Sequence, residues 1–221
     1  MHTRETDTTL HNLLLTGHRY QFSRGQVVEA FSDHGHVHLI TNGYVKRYLI
    51  TAEGTKSTQV LYGPRDIFPM TPLYKAIYEM DIYRGPETYY YEAMTDIVVY
   101  SLRITTLLAA LTDEPLLYRD LLFASGIRLN SYIHRLEDRS LHASKLRVAH
   151  LLVFLAQQFG EQATGGVKIL LPLTHQDIAE VLDLSRETVS RAMVRLRNQQ
   201  LIADSSTHLV VDTDRLRALF S

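Results

Sequence analysis

The 221 residues suffice for one large domain or two modest ones, and length alone leans toward two. The chain is 45% hydrophobic and 21% charged, with few glycines or prolines and no cysteine; that excludes wholesale disorder, fibrous repeats, disulfides, thiolate zinc, cysteine-held iron–sulfur clusters and a cysteine nucleophile. A formal net charge of −1 rules out a surface coated for nucleic acid or membrane, so any such site is local.

Residues 1–9 carry Arg4, Glu5 and Asp7 and no apolar run, so no secretion signal is expected and a cytoplasmic location is. Eleven of the 13 tyrosines precede Ser101, which marks a change of composition there. Residues 37–40 and 44–50 flank Thr41, Asn42 and Gly43, and the Asn-Gly pair predicts a hairpin. Ala52, Glu53 and Gly54 read as a second turn, followed by a strand over 57–62 and a third turn over 63–66. Two more strands are predicted over 87–94 and 96–102. Short strands at regular spacing predict a compact all-β sandwich or barrel for about the first hundred residues.

From Leu116 the period becomes helical. Leu122, Gly126, Leu129, Ile133 and Leu136 recur at steps of four and three, a heptad seam, and no proline falls between Leu116 and Leu171. A core helix packed on its own domain and a dimer helix both fit; the second is preferred. Glycine in mid-helix costs about 1 kcal/mol against alanine, and a close helix–helix approach would give Gly126 a reason. Around 137–144 the seam ends, and Asp138, Arg139 and Ser140 read as an exposed hinge. Leu146, Ala149, His150, Val153 and Phe154 predict an amphipathic helix, closed by Gly160 and Gly165-Gly166, with a short strand over 167–171. The longest apolar stretch, 146–159, is broken by Arg147, His150, Gln157 and Gln158 and cannot span a bilayer.

Thr174 to Leu182 reads as a capped helix, with Thr174 as N-cap and Asp177 at N3 beside the positive end of the helix dipole. Asp183, Leu184 and Ser185 form a tight turn, and Ser185 caps a second helix over 186–199. Ile178, Ala179 and Leu182 would face Val189, Met193 and Leu196, which makes a helix-turn-helix. The first helix carries acids; the second carries Arg186, Arg191, Arg195 and Arg197 against Glu187 alone. A near-neutral protein has concentrated four arginines on one short helix. That pattern suits a polyanion better than an ordinary solvated face.

The run THQDIAEVLDLSRETVSRAMVRLRNQQLI resembles the winged-helix end of the Crp/Fnr family of bacterial transcription regulators, and SRETVSR is close to that family's most diagnostic string. GPRDIF resembles the family's Gly-Asp-x-Phe turn, and Gly25 and Gly43 fall where its strand turns do. The resemblance implies an α+β fold: an N-terminal double-stranded β-helix (β-roll, like a cyclic-nucleotide-binding domain) over 1–115, a long dimerisation helix and hinge over 116–139, and a C-terminal winged helix-turn-helix over 140–221. The wing would be 202–211, turning near Ser205, Ser206 and Thr207. It also implies a homodimer on double-stranded DNA, with RNA polymerase as a further partner and no membrane. Arg186, Glu187, Ser190 and Arg191 match positions that read bases in relatives, and Thr174, Gln176, Ser185 and Thr188 match positions that hold phosphates. Arg195 and Arg197 would add phosphate charge or face solvent. The chemistry agrees: Arg191 offers a donor fork for guanine, Glu187 can accept from cytosine, and one helical turn between them lets each order the other.

Relatives that bind cyclic AMP carry a Gly-Glu pair after the Gly-Asp-x-Phe turn and an Arg-Ser or Arg-Thr pair later. Here those places read Phe68-Pro69-Met70 and Pro86-Glu87-Thr88, and Glu87 has the wrong sign for a phosphate, so cyclic AMP is not expected. Arg84 is a poor substitute. His34, His36 and His38 alternate and would share a strand face, where they could ligate a metal or haem iron; ordinary strand residues are the preferred reading, and no cofactor is predicted. Residues 71–83 and Tyr89-Tyr90-Tyr91 could line an apolar effector pocket or simply pack. The other readings are a haem- or small-ligand-sensing member of the family, and a ligand-binding or interaction module that no longer binds DNA. Enzyme motifs are lacking: there is no Gly-x-Ser-x-Gly, no P-loop and no His-Glu-x-x-His.

Overall fold

The computed structural model describes residues 8–30, 35–78, 89–205 and 208–220. The chain forms two compact units, residues 1–50 with 59–130, and residues 51–58 with 131–221.

The first unit contains α1 (Thr9–Leu14), β1 (His18–Phe22), β2 (Val27–Ala30), β3 (His36–Asn42), β4 (Val45–Ile50), β5 (Lys56–Tyr62, whose first residues group with the second unit), β6 (Ile67–Phe68), α2 (Thr71–Tyr78), β7 (Tyr90–Ala93), β8 (Ile97–Arg103), α3 (Ile104–Asp113) and the first part of α4 (Leu116–Ser140). Its strands make two four-stranded sheets, ordered β1-β8-β3-β6 and β2-β7-β4-β5. The pairings are antiparallel: β8 runs beside β1 and β3 in one sheet, and β7 runs beside β2 and β4 in the other. Each long ribbon therefore bends from one sheet into the next, which is the β-roll.

The Asn42-Gly43 turn is consequently a corner between sheets, not the predicted hairpin. Gly43 has φ +82°, and a Cβ there would lie 2.3 Å from the Asp96 carbonyl oxygen, so the two corners of the ribbon interlock only with glycine. The turn at Ala52 to Gly54 is a true hairpin between neighbouring strands, closed by the Thr51 amide donating to the Thr55 carbonyl at 2.8 Å.

Tyr62, Phe68 and Tyr91 fill the space between the sheets, with ring centroids 5.1 to 6.0 Å apart. His38 is buried there too, its ring 5.2 Å from that of Phe68, so β3 does not begin as an exposed strand; His34 lies outside the described residues. Phe68 and Met70 are both buried. Residues 71–78, read as pocket or packing, pack: Leu73 joins Leu10, Leu14, Leu107, Leu111, Leu117 and Leu121 in one apolar cluster, with Tyr74 and Ile77 against it. Residues 79–83, Arg84 and Pro86-Glu87-Thr88 lie outside the described residues.

The GPRDIF turn holds α4. Asp66 accepts the Gly63 amide at 2.7 Å and pairs with Arg128 of α4 at 2.9 Å, and the Arg128 guanidinium lies 4.3 Å from the Tyr62 ring. Tyr74 and Ser125 hydroxyls meet at 2.7 Å. One face of α4 is thus committed to this unit through Leu117, Leu121, Ser125 and Arg128. The predicted seam lies on another face: Leu122, Leu129 and Leu136 are 74%, 60% and 67% exposed, and Ile133 is exposed as well. A Cβ on Gly126 would meet nothing within 4 Å in the single chain.

The second unit takes the end of α4, then α5 (Ser144–Phe159), β9 (Gly160–Ala163), β10 (Gly166–Ile169), α6 (His175–Leu182), α7 (Arg186–Asn198), β11 (Ile202–Ser205), β12 (His208–Val211) and α8 (Thr213–Arg217). The unit boundary falls inside α4, between Asn130 and Ser131, not near residue 139. The reason is packing: His134, Arg135 and Asp138 are engaged by α5 and by the α6–α7 turn. The predicted hinge shrinks accordingly, because the helix runs on to Ser140 and Asp138 is only 3% exposed. Burial on α5 also exceeds the predicted stripe. Val148, Ala149, Leu151, Leu152, Val153, Leu155, Ala156 and Phe159 are all buried, so it is the central helix of the unit.

Candidate nucleic-acid interface

The helix-turn-helix forms as its residues require. Thr174 caps α6 by accepting the Asp177 amide, and Asp177 accepts the Thr174 amide at 2.9 Å in return, a complete capping box. Asp183 ends α6 in the left-handed conformation, φ +50°. Ser185 then caps α7, accepting the Thr188 amide at 3.2 Å. Ile178, Ala179 and Leu182 are buried, as are Val189, Ala192, Met193 and Leu196. Behind them, β11 and β12 pair antiparallel with Ile202 opposite Val211 and join a sheet ordered β11-β12-β10-β9. Ser206 and Thr207, the predicted wing turn, lie outside the described residues.

The rest of α7 is an exposed, cationic edge. Arg186, Glu187, Arg191 and Arg195 are exposed. Arg191 donates to Thr188 Oγ1 at 3.1 Å, and Thr188 meets the Ser185 hydroxyl at 2.9 Å. The expected Glu187–Arg191 pair is absent among the described residues; Arg191 turns to Thr188 instead, a shorter reach of one i,i+3 step. Thr188 so holds the arginine fork beside the N-terminus of α7.

Three predicted contacts are otherwise occupied. Ser190 meets His175 Nδ1 at 2.8 Å, which joins α7 to α6. Arg197 makes a two-point pair with Asp204 of β11, both bonds 3.0 Å, and so braces the wing strand against α7. Gln176 donates to Glu180 at 3.3 Å and stays exposed. Burial, then the charges of Arg197 and Arg186, hold the His175 imidazole below its usual pKa.

Sequence reasoning missed the supports. Arg135 donates to Asp183 at 3.0 Å and to the Val181 carbonyl at 2.8 Å, while Ser57 donates to Asp183 at 2.6 Å. Arg215 donates to the Gln199 and Gln200 carbonyls, each at 3.2 Å, and satisfies the C-terminal end of α7. These partners are far apart in the chain, and no local spacing announces them.

Two capped helices with a β-wing, in a chain that also carries a β-roll, make a winged helix-turn-helix, a fold that DNA-binding regulators use. The Crp-like helix-turn-helix domain family matches residues 146–219. The chain is 28% identical, over 88% of its length and 84% of the relative's, to the CRP-like cAMP-activated global transcriptional regulator of Mycobacterium tuberculosis. Its fold is similar to FixK2 from Bradyrhizobium japonicum (TM-score 0.74, 20% identity, 92% of this chain and 97% of that one). It is similar also to a CooA mutant from Carboxydothermus hydrogenoformans (TM-score 0.75, 21% identity, 98% and 97%). The last third of the chain thus matches the Crp-like helix-turn-helix family, and most of its length is similar to transcription regulators of the CRP type. Among the described residues no helix is long and apolar enough to cross a membrane.

Proposed function

We propose that this regulator binds an inverted-repeat site of the form TGA–spacer–TCA as a homodimer, in the cytoplasm, with RNA polymerase as its further partner. The observation that carries the reading is the exposed edge of α7, where Arg186, Glu187 and Arg191 stand clear while the opposite face is buried. Arg191 would take guanine O6 and N7, and Glu187 a cytosine amino group. Thr174, Gln176, Ser185 and Thr188 sit at the first turns of α6 and α7, where backbone amides suit phosphates. Ser190 reaches a base only by leaving His175.

Two copies would meet along Leu122, Leu129, Ile133 and Leu136, an apolar stripe that the single chain leaves uncovered. Gly126 would let the helices approach. The effector is one other than cyclic AMP, or none: buried Phe68 and Met70 stand where the cyclic-AMP-binding relatives' Gly-Glu pair would be. Selection of binding sites from random DNA tests the reading. Sites with dyad symmetry and half-site centres about 34 Å apart are expected; selected sites without symmetry would refute it.

A further inference from the structure

Two histidines and a buried carboxylate converge where the end of α4 packs on α5. His134 and Asp138 are one helical turn apart on α4, and His150 comes from α5. The two imidazoles stack, with centroids 4.0 Å apart and planes at 17°. Phe154 packs against His134 with ring centroids 4.1 Å apart, and Phe220 meets the His150 ring edge-on at 5.0 Å. Asp138 Oδ1 lies 2.6 Å from His150 Nδ1, and its Oδ2 lies 3.8 Å from His134 Nε2. That Nε2 is buried and has no hydrogen-bond partner.

A buried nitrogen without a partner is costly, and such a group asks for an explanation. Here it faces a buried carboxylate too far away for a hydrogen bond. The ring is held between His150 and Phe154 with Nε2 turned to that carboxylate. We propose that His134 Nε2, His150 Nδ1 and Asp138 form a binding site for a divalent first-row transition ion of the zinc type. Imidazole donors select such ions over magnesium or calcium. The donor atoms already lie within 4.8 Å of one another. Bonds of about 2.0–2.1 Å would draw His134 in and open the His150–Asp138 contact, with the rings tilting apart. The opposite ring edges support the assignment. His134 Nδ1 and His150 Nε2 each lie 3.9 Å from Glu137 Oε2, longer than a hydrogen bond, so Glu137 is a carboxylate on the outer side that the tilting rings would approach. A bound ion would bolt the last turns of α4 to α5.

Chelator-treated full-length protein, titrated calorimetrically with Zn²⁺ at near-neutral pH, should take up one equivalent per chain with micromolar or tighter affinity. His134→Gln and Asp138→Asn should each weaken binding by about 10-fold or more. Should either variant fail to fold, X-ray absorption of the zinc-loaded unmodified protein decides instead: two imidazoles and carboxylate oxygen around the metal are expected. Absence of stoichiometric uptake overturns the site. So does unchanged affinity in both folded variants, with other histidines among the 11 holding the ion, or a spectrum with fewer than two imidazoles.

Discussion

Two arginines of the β-roll unit and three on α7 of the winged-helix unit do opposite work. In the β-roll unit, Arg128 is 8% exposed, paired with Asp66 and laid over Tyr62, and Arg47 lies over the Tyr89 ring at 4.3 Å. In the winged-helix unit, Arg186, Arg191 and Arg195 stand in solvent along one edge of α7. A buried guanidinium needs a carboxylate and an aromatic face to replace water, so it acts as a fixed bolt between elements. An exposed one keeps its hydration and its freedom to meet a phosphate or a base edge. Position in the fold, more than residue type, decides which role an arginine takes.

The comparison breaks most visibly at the bolt. Arg128→Ala takes the guanidinium away from the buried Asp66 carboxylate, and the expected loss of stability is about 3–5 kcal/mol. Urea unfolding measures it; a loss under about 1 kcal/mol would mean that α4 is not held by this pair. Asp66→Asn combined with Arg128→Met should recover much of the loss, because no lone charge then remains buried.

The exposed side of α4 gives the next effect. Leu129 is uncovered in the single chain, so Leu129→Glu should barely alter the folded monomer. In a dimer seam the same change buries a carboxylate in an apolar interface, and the dimer dissociation constant should rise by about 100-fold, or some 2.7 kcal/mol. Light scattering across a concentration series reads this directly. An unaltered dimer, or an unmodified protein that is monomeric, removes the seam.

The α7 edge should respond more mildly and more specifically. Arg191→Ala should cost roughly 1–3 kcal/mol per half-site and relax the preference for G·C. Arg195 and Arg197 separate the two kinds of arginine within a single helix. Arg195→Ala, free of partners among the described residues, should lower the salt slope of binding by about 1 for every sequence. Arg197→Ala, already engaged by Asp204, should leave that slope unchanged. Affinities at two salt concentrations distinguish them.

How much of this was legible depended on the range of the contacts. The helix-turn-helix is written in caps and steps of three and four: Thr174 with Asp177, Ser185 with Thr188, and a buried face at Val189, Met193 and Leu196. All of that is local, so the sequence displays it. Asn42-Gly43 misled because a glycine with positive φ serves a hairpin and an inter-sheet corner equally; which one forms depends on Asp96, far along the chain. Asp138 misled for the same reason. Polar residues at the end of a seam look solvated until His150 of another helix arrives. Ser190 and Arg197 lie on α7 as the helix period requires, but nothing nearby in the chain announces that His175 and Asp204 take them.

His175 offers the finest test of that last point. Its imidazole is held below the usual pKa by burial first and then by the charges of Arg197 and Arg186. A histidine whose folded pKa is lowered binds its proton more readily in the unfolded chain. Its contribution to stability is therefore complete above the unfolded value, near 6.5, and declines as pH falls through the window below it. The ring is only partly buried, so the effect on unfolding should be small, and NMR titration of its ring proton is the sharper measurement. The unmodified protein should give a midpoint below the ordinary histidine value. Arg197→Ala should move that midpoint upward, because a neighbouring positive charge is lost, while Arg195→Ala should not. An unshifted midpoint in the Arg197 variant would mean that Asp204 already cancels the arginine's field at the His175–Ser190 contact, and that the brace and the reader are electrostatically independent.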